Sequence, residues 1–297
     1  MAGRAPARYK EGVESHPTRP VPGPLRTQLG LPSQAAPAVD ADGYERLTRE
    51  VRTLLGFDLA QYKAPQVWRR VNGFAAAHGL AGVPALLARC REDPELRDDF
   101  RDMITINVSE FLRNPEAFQT LRSRYLPGLL EGRQMLRVWS AGCSLGYEAW
   151  SIAMLVRELA PACTVRILAT DLDERILVKA RASRYAEAQM LGVSPARRAR
   201  FFEHDSDAWQ VRPEVRALVT FRRHDLLREA FGSGFDLIAC RNVAIYFTEE
   251  AKAGLYQRFA KALRPGGLLF VGATEAISGA RAVGLEPGLP GFYRKGE

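Results

Sequence analysis

From Tyr44 onward the apolar positions fall into a helical period. Tyr44, Leu47, Val51, Leu54 and Leu55 form the stripe of an amphipathic helix that stops near Gly56. The same period runs through 62–77, 83–90 and 95–108, broken at Gly79, Gly82 and Asp93-Pro94. Residues 41–126 are therefore expected to form a small all-helical domain. After Pro127 the pattern changes. LRVWSA (136–141) and VRILATD (165–171) are short runs suited to strands, with a helical stretch, 148–159, between them. Strand, helix and strand in that order predict a βαβ unit and a parallel sheet. FDLIACRN (235–242) reads as a buried strand, followed by a helix near 249–263, a Pro265-Gly266-Gly267 break and the strand LLFVGAT. The class predicted for 127–297 is α/β with an open sheet. Between 183 and 224 the alternation fails, and a helix start at Ser194-Pro195-Ala196 with two short strands, AWQVR and LVTFRR, predicts an inserted antiparallel β subdomain over about 190–223.

Residues 1–40 hold 7 of the 18 prolines and few large apolar side chains, so a disordered tail is expected there. The chain has no stretch of roughly 18 apolar residues and no apolar signal core, which makes the cytoplasm the expected location. Cys90, Cys143, Cys163 and Cys240 stand far apart without metal-ligand spacing, so reduced thiols and no metal are expected. The net charge of +8 is spread thinly, without a run of five or six basic residues. That argues against a nucleic-acid protein and leaves an acidic protein surface open as a partner.

Candidate chemistry gathers at strand ends. Ser140-Ala141-Gly142-Cys143-Ser144-Leu145-Gly146 joins the first strand to its helix, where small residues let backbone approach a ligand. It lacks the full G-x-G-x-x-G spacing, so a plain tight connection is the competing reading. The second strand ends at Asp171, placed to accept from ribose hydroxyls or, alternatively, to cap the next helix. Arg241, Asn242 and Tyr246 follow the FDLIAC strand and so emerge at the same rim. The plainer alternatives are a packed aromatic beside Phe247 for Tyr246 and a surface salt bridge for Arg241.

In order and spacing, ITINVSEFLRNPEAF (104–118), RVWSAGCSLGYEAWSIAM (137–154), ILATDLDERILVKARASRY (167–185), HDLL (224–227), FDLIACRNVAIYF (235–247) and LRPGGLLFVGATEAI (263–277) resemble blocks of the chemotaxis protein methyltransferases. LLGFDLAQYKAPQVWRRV resembles that family's helical N-terminal domain. The resemblance implies a Rossmann-like methyltransferase domain and transfer of a methyl group from S-adenosylmethionine to glutamate γ-carboxylates on chemoreceptor cytoplasmic helices. Carried over by position, it implies that Asn107, Ser109 and Arg113 meet the methionine part of the cofactor. Ala141 and Gly142 belong to the binding turn, Glu148 takes the ammonium, Asp171 the ribose, and Asp225 with Leu226 the adenine. Arg241 and Asn242 close the pocket, Tyr246 sits near the methyl and the incoming glutamate, and the catalytic set is Arg113, Tyr246 and Arg241.

The sequence departs from the family at one loop. Where the family usually reads S-T-G-E-E-P-Y, this chain has Ser144-Leu145-Gly146-Tyr147-Glu148-Ala149-Trp150, and Leu112 replaces an aromatic before Arg113. If Tyr147 fills the space of the lost acid, cofactor affinity falls; if Glu148 makes the ammonium contact, activity survives. RFFEHDSDAWQVR in the insert is short and glycine-free, which predicts no dependence on a receptor C-terminal pentapeptide. Lys63, Arg69 and Arg70 are expected along one helix, facing either an acidic receptor bundle or solvent. A monomer is expected. The alternatives are a catalytically weak cofactor-binding adaptor, a related carboxyl methyltransferase with another acceptor and, more distantly, a nicotinamide-dependent dehydrogenase.

Overall fold

The computed structural model describes residues 39–105 and 109–296. All but the last two residues of the expected tail lie outside the described residues, as does Asn107. Four helices come first: α1 (Ala41–Leu55), α2 (Ala64–Ala77), α3 (Gly82–Glu92) and α4 (Pro94–Thr105). Each turns its apolar stripe inward, and Leu47, Val51, Trp68, Leu86 and Phe100 form one core. Gly56 ends α1 in the left-handed region at φ 80°, where a side chain would be strained. Among the described residues no single helix is long and apolar enough to cross a membrane. Helices α2 and α3 pass that test only together, bent by 67°, and both bury their apolar faces in this core.

Helix α5 (Pro115–Thr120) continues through a wide π turn, Leu121–Tyr125, into α6 (Leu126–Leu130). Then come β1 (Met135–Ala141), α7 (Tyr147–Leu159), β2 (Thr164–Asp171), α8 (Glu174–Ala182), β3 (Arg184–Tyr185), α9 (Pro195–Phe201), β4 (Phe202–Asp205), β5 (Ala208–Val211), α10 (Pro213–Arg216) and β6 (Val219–Arg223). The chain finishes with β7 (Phe235–Cys240), α11 (Glu249–Ala262), β8 (Leu263–Val271), β9 (Leu285–Pro287) and β10 (Phe292–Lys295). Seven strands make one sheet in the order β6-β2-β1-β7-β8-β10-β9. The first five run parallel, and β10 returns antiparallel to β8. Every residue of β7 is buried, because helices cover both faces of the sheet. Buried Asp236 in this strand accepts from the backbone N–H of Arg137 at 2.7 Å and pairs with Arg133 and Arg264.

The small antiparallel sheet, β3-β5-β4, is present, but its extent corrects the expectation. LVTFRR does not belong to it. Strand β6 pairs in parallel with β2, from Ile167↔Val219 to Asp171↔Arg223, and forms an edge of the main sheet. A short strand at a sheet edge exposes many of its side chains, so its pattern resembles that of an isolated hairpin strand.

From β1 the order runs to β2 on one side and to β7 on the other, which opens a crevice beyond the carboxyl ends of these strands. Helices α1–α4 are tied to the sheet part near that crevice. Asp98 pairs with Arg175 at 2.5 Å, Lys63 with Glu249 at 3.1 Å, and Tyr62 forms an antiparallel bridge with Phe247.

Candidate functional site

The turn after β1 is built to bring backbone close to the crevice. The N–H groups of Gly142 and Cys143 both donate to the Thr170 carbonyl at 2.8 Å, folding the turn against β2. Gly142 has φ 77°, and a Cβ there would lie 2.5 Å from Val243 Cγ2, so both conformation and space call for glycine. Ser144 is also left-handed, at φ 48°, and its N–H donates to Asp171 Oδ2 at 2.8 Å.

Asp171 thus locks the turn while standing at the cavity. Its second oxygen accepts from the Asp173 N–H at 3.1 Å. The helix-cap alternative passes to a neighbour: Asp173 caps α8 by accepting from the Arg175 N–H at 2.9 Å. Burial is the main influence on Asp171 and raises its pKa despite the backbone donors. Past the end of β6, Asp225 accepts from the Leu227 N–H at 2.8 Å and lines the cavity with Leu226 and His224.

Beyond β7, Arg241 and Asn242 reach the same cavity, but Arg241 is heavily committed. Its guanidinium lies over the rings of Phe118 and Phe270, at 5.0 and 4.6 Å from their centroids. Its Nη2 donates to the Arg113 carbonyl at 2.8 Å and to Asn114 Oδ1 at 2.9 Å. The surface salt bridge considered for Arg241 is replaced by a buried approach to Glu148, 3.9 Å away. Asn242 adopts φ 59°, and Glu275 Oε2 holds its N–H and that of Gly272, each at 2.7 Å. Asn242 Oδ1 is buried without a partner among the described residues. Ser144 and Asn242, which line the cavity, are both left-handed non-glycine residues, as are Leu112 and Asn114 on either side of Arg113.

Of the sequence-predicted residues, Ser109, Arg113, Gly142, Asp171, Asp225, Leu226, Arg241, Asn242 and Tyr246 line one cavity. Ala141 and Glu148 do not. Ala141 is fully buried, and Glu148 lies beneath, where Oε1 accepts from the Ser140 hydroxyl at 2.9 Å. Burial raises the Glu148 pKa, while Arg241 and Ser140 oppose that shift. Tyr147 also turns away from the cavity. Its ring packs with Phe111 and Tyr185 in the core, and its hydroxyl accepts from Gln189 Nε2 at 2.7 Å. Tyr185 in turn donates to the Leu145 carbonyl at 2.8 Å and accepts from Trp150 Nε1 at 2.7 Å. The altered loop residues therefore pack against the insert.

Sequence reasoning missed the opposite wall, where Phe57, Tyr62, Ile104 and Thr105 come from the helical part. They lie inside the family-like segments quoted above, but nothing in those segments shows which residues reach the cavity, which for Tyr62 depends on the bridge to Phe247. Glu275 was missed too, although its place just after a strand end was a usable signal. Tyr246, on a short 3₁₀ turn, borders both this cavity and a smaller apolar one against α2 and α4. Burial raises its pKa, so its phenol is neutral near pH 7. The expected basic face of α2 is divided: Arg69 is exposed, Lys63 pairs with Glu249, and Arg70 donates to the Met103 carbonyl at 2.5 Å.

Two family models match the chain in succession. One, described as the CheR methyltransferase all-alpha domain, covers residues 42–105; the other, the CheR methyltransferase SAM binding domain, covers 107–284. A chemotaxis protein methyltransferase of Listeria monocytogenes is 42% identical over 253 residues, covering 85% of this chain and 97% of that protein. Chemotaxis protein methyltransferase 1 of Pseudomonas aeruginosa is 36% identical over 235 residues, covering 75% and 86%. Among solved structures, the SAM-bound amino pentose methyltransferase CalS10 of Micromonospora echinaspora matches with a TM-score of 0.33 and 16% identity, covering 52% of this chain and 49% of that one.

Proposed function

We propose an acceptor and a division of labour for this chain, which belongs to the CheR methyltransferase family and is an S-adenosylmethionine-dependent chemotaxis protein methyltransferase. The acceptor is a glutamate γ-carboxylate on the cytoplasmic helices of a chemoreceptor, and the product is a methyl ester. The observation that carries this reading is a single cavity lined by Asp171, Asp225 and Arg113, with neutral Tyr246 at its boundary toward α2.

The side chains fit the cofactor's parts. Two carboxylates suit the hydroxyls and amino group of adenosine, a guanidinium suits the amino-acid carboxylate, and the Gly142 turn has no room for a Cβ. The buried Asn242 Oδ1, which has no partner in the described structure, supplies a further acceptor. When bound, the cofactor supplies a methyl group on a sulfonium, which an ionised carboxylate attacks without a general base.

Asp171 takes the ribose, Asp225 and Leu226 the adenine, and Arg113 with Asn107 and Ser109 the methionine end. Gly142 lets the turn approach. Glu148 lies behind this wall and acts on the ammonium through its negative charge. Arg241 holds the Arg113 carbonyl and the Asn114 side chain while lining the cavity itself. Tyr246 donates its phenol hydrogen to the incoming carboxylate and aligns it. Alignment of this kind contributes on the order of 7 kcal/mol, whereas tight ion pairing would stabilise the ground state. Tyr147 leaves the cavity to these residues, which supports an active enzyme over the silent adaptor.

The test is transfer of labelled methyl from S-adenosylmethionine to a receptor cytoplasmic fragment, followed by mild base. Label released as methanol is expected. Base-stable label, or none on a fragment carrying its glutamates, would sink the reading. Removing the receptor's C-terminal pentapeptide is expected to leave the rate unchanged.

A further inference from the structure

The helical wall of the cavity contains an unassigned group with an unused hydrogen-bonding atom. Tyr62 lies just before α2, on the connection 56–63 that crosses from the helical part to the sheet part. That connection is held firmly. Tyr44 donates its hydroxyl to the Leu59 carbonyl at 3.1 Å, and Asp58 pairs with Arg52 on one side and with Arg228, beyond Asp225, on the other. The Lys63 N–H donates to the Tyr246 carbonyl and the Thr248 N–H to the Gln61 carbonyl, both at 2.9 Å. Between these bonds the Tyr62 ring meets Phe247 edge to face, with centroids 5.1 Å apart and planes at 89°. Backbone bonds on either side and a packed ring leave the phenol little freedom.

The hydroxyl itself makes no hydrogen bond among the described residues, while Tyr62 lines the cavity that holds Asp171 and Asp225. After burial, those two carboxylates have the largest electrostatic effect on it. Tyr62 shares the cavity with two acceptor-only groups, so its neutral phenol is a donor available to a ligand there.

Resting on the cofactor reading above, we propose that Tyr62 is a positioning residue of the cofactor site: its hydroxyl donates to the adenosine half of S-adenosylmethionine, and the helical part thereby completes the site. The Tyr62–Phe247 bridge then makes cofactor retention depend on seating of the helices. It also ties the adenosine end to Tyr246, the residue just before Phe247.

Tyr62→Phe keeps the ring and its packing and removes only the donor. Calorimetric titration of the full chain with S-adenosylhomocysteine and with 5′-methylthioadenosine, which has the adenosine half but no amino acid, separates the possibilities. Loss of one neutral hydrogen bond predicts a three- to tenfold rise of about the same factor in both dissociation constants. The KM for a receptor fragment and the thermal midpoint of the ligand-free protein are expected to stay unchanged. As a second measurement, 3-fluorotyrosine placed at position 62 is expected to shift its fluorine resonance on addition of 5′-methylthioadenosine. Wild-type affinity for both ligands in Tyr62→Phe, or weakening toward S-adenosylhomocysteine alone, would overturn the assignment while leaving the methyltransferase reading intact. Failure of the wild-type protein to bind either ligand would overturn both.

Discussion

The two walls of the cavity are built on different principles. The sheet wall consists of strand ends: Gly142 after β1, Asp171 at the end of β2, Asp225 after β6, and Arg241 and Asn242 after β7. Several of these positions are tied to a neighbouring segment by hydrogen bonds, such as Ser144 N–H to Asp171 and Asn242 N–H to Glu275. The helical wall consists of Phe57, Tyr62 and Ile104, apolar or aromatic groups on connections and a helix end. They depend on a bridge and a few ion pairs to reach the cavity. The sheet wall supplies charge and fixed geometry; the helical wall supplies enclosure and the proposed Tyr62 donor.

Removing a charge from the sheet wall should therefore give the largest effect. Asp171→Ala deletes a carboxylate that serves both the turn and the ligand. Two charge-assisted hydrogen bonds at about 1.5–3 kcal/mol each predict a loss of at least a hundredfold in affinity for S-adenosylhomocysteine. Calorimetry reads this directly. An affinity within tenfold of wild type would mean that enclosure, rather than charge, dominates binding.

Tyr246 stands where the two walls meet, and its variant separates binding from turnover. Tyr246→Phe is expected to lower kcat by about ten- to a hundredfold through lost alignment, with S-adenosylhomocysteine affinity unchanged. Steady-state kinetics with a receptor fragment, paired with calorimetry, provide the check. A parallel loss of affinity would place Tyr246 with the cofactor instead.

Acidification tests the sheet wall by a third route. Burial raises the Asp171 and Glu148 carboxyls above their ordinary pKa values, so in the ligand-free protein they take up protons at a higher pH than exposed acids do. The ionised forms are the ones that accept from the ligand, so affinity holds above the raised pKa values and falls as pH drops through them. A severalfold weakening is expected as pH falls through the raised pKa values, at a higher pH than exposed carboxylates would give. Proton release on binding should accompany it, measurable by titration in buffers of different ionisation enthalpy. The tyrosines of the helical wall, with pKa values raised by burial, take no part in this acid limb. An acid limb that survives in Asp171→Ala would assign it to Glu148.

The same division explains what the sequence could reveal. Strand ends in a parallel sheet converge on one rim by topology, so Asp171, Arg241 and Asn242 were legible once the βαβ order had been read. Helices α1–α4 were legible from their period. Tyr62 was not, because a tyrosine before a helix carries no mark of the residue it will bridge to 185 positions later. Strand β6 was read as part of the insert because an edge strand and a hairpin strand share a half-exposed pattern, and only its pairing with β2 distinguishes them. Arg241 was located correctly, but its orientation depends on Phe118 and Phe270, which are distant in the sequence.

Tyr147 is the sharpest test of reading chemistry from a motif alone. Its position in the Gly-rich turn suggests an intruder in the cofactor site, yet its ring packs with Phe111 and Tyr185 on the far side of that turn. Tyr147→Phe keeps the packing and loses the hydrogen bond from Gln189. The expected cost is about 1 kcal/mol of stability, read as a small fall in thermal midpoint, with S-adenosylhomocysteine affinity unchanged. The side chain next to it, Glu148, lies behind the sheet wall because it starts α7 one residue later, and a helix turns by about 100° per residue. Neighbours in a motif can therefore serve opposite sides of a turn. A changed affinity in Tyr147→Phe would show that the aromatic nest under the turn sets the position of Glu148 and belongs to the site it supports.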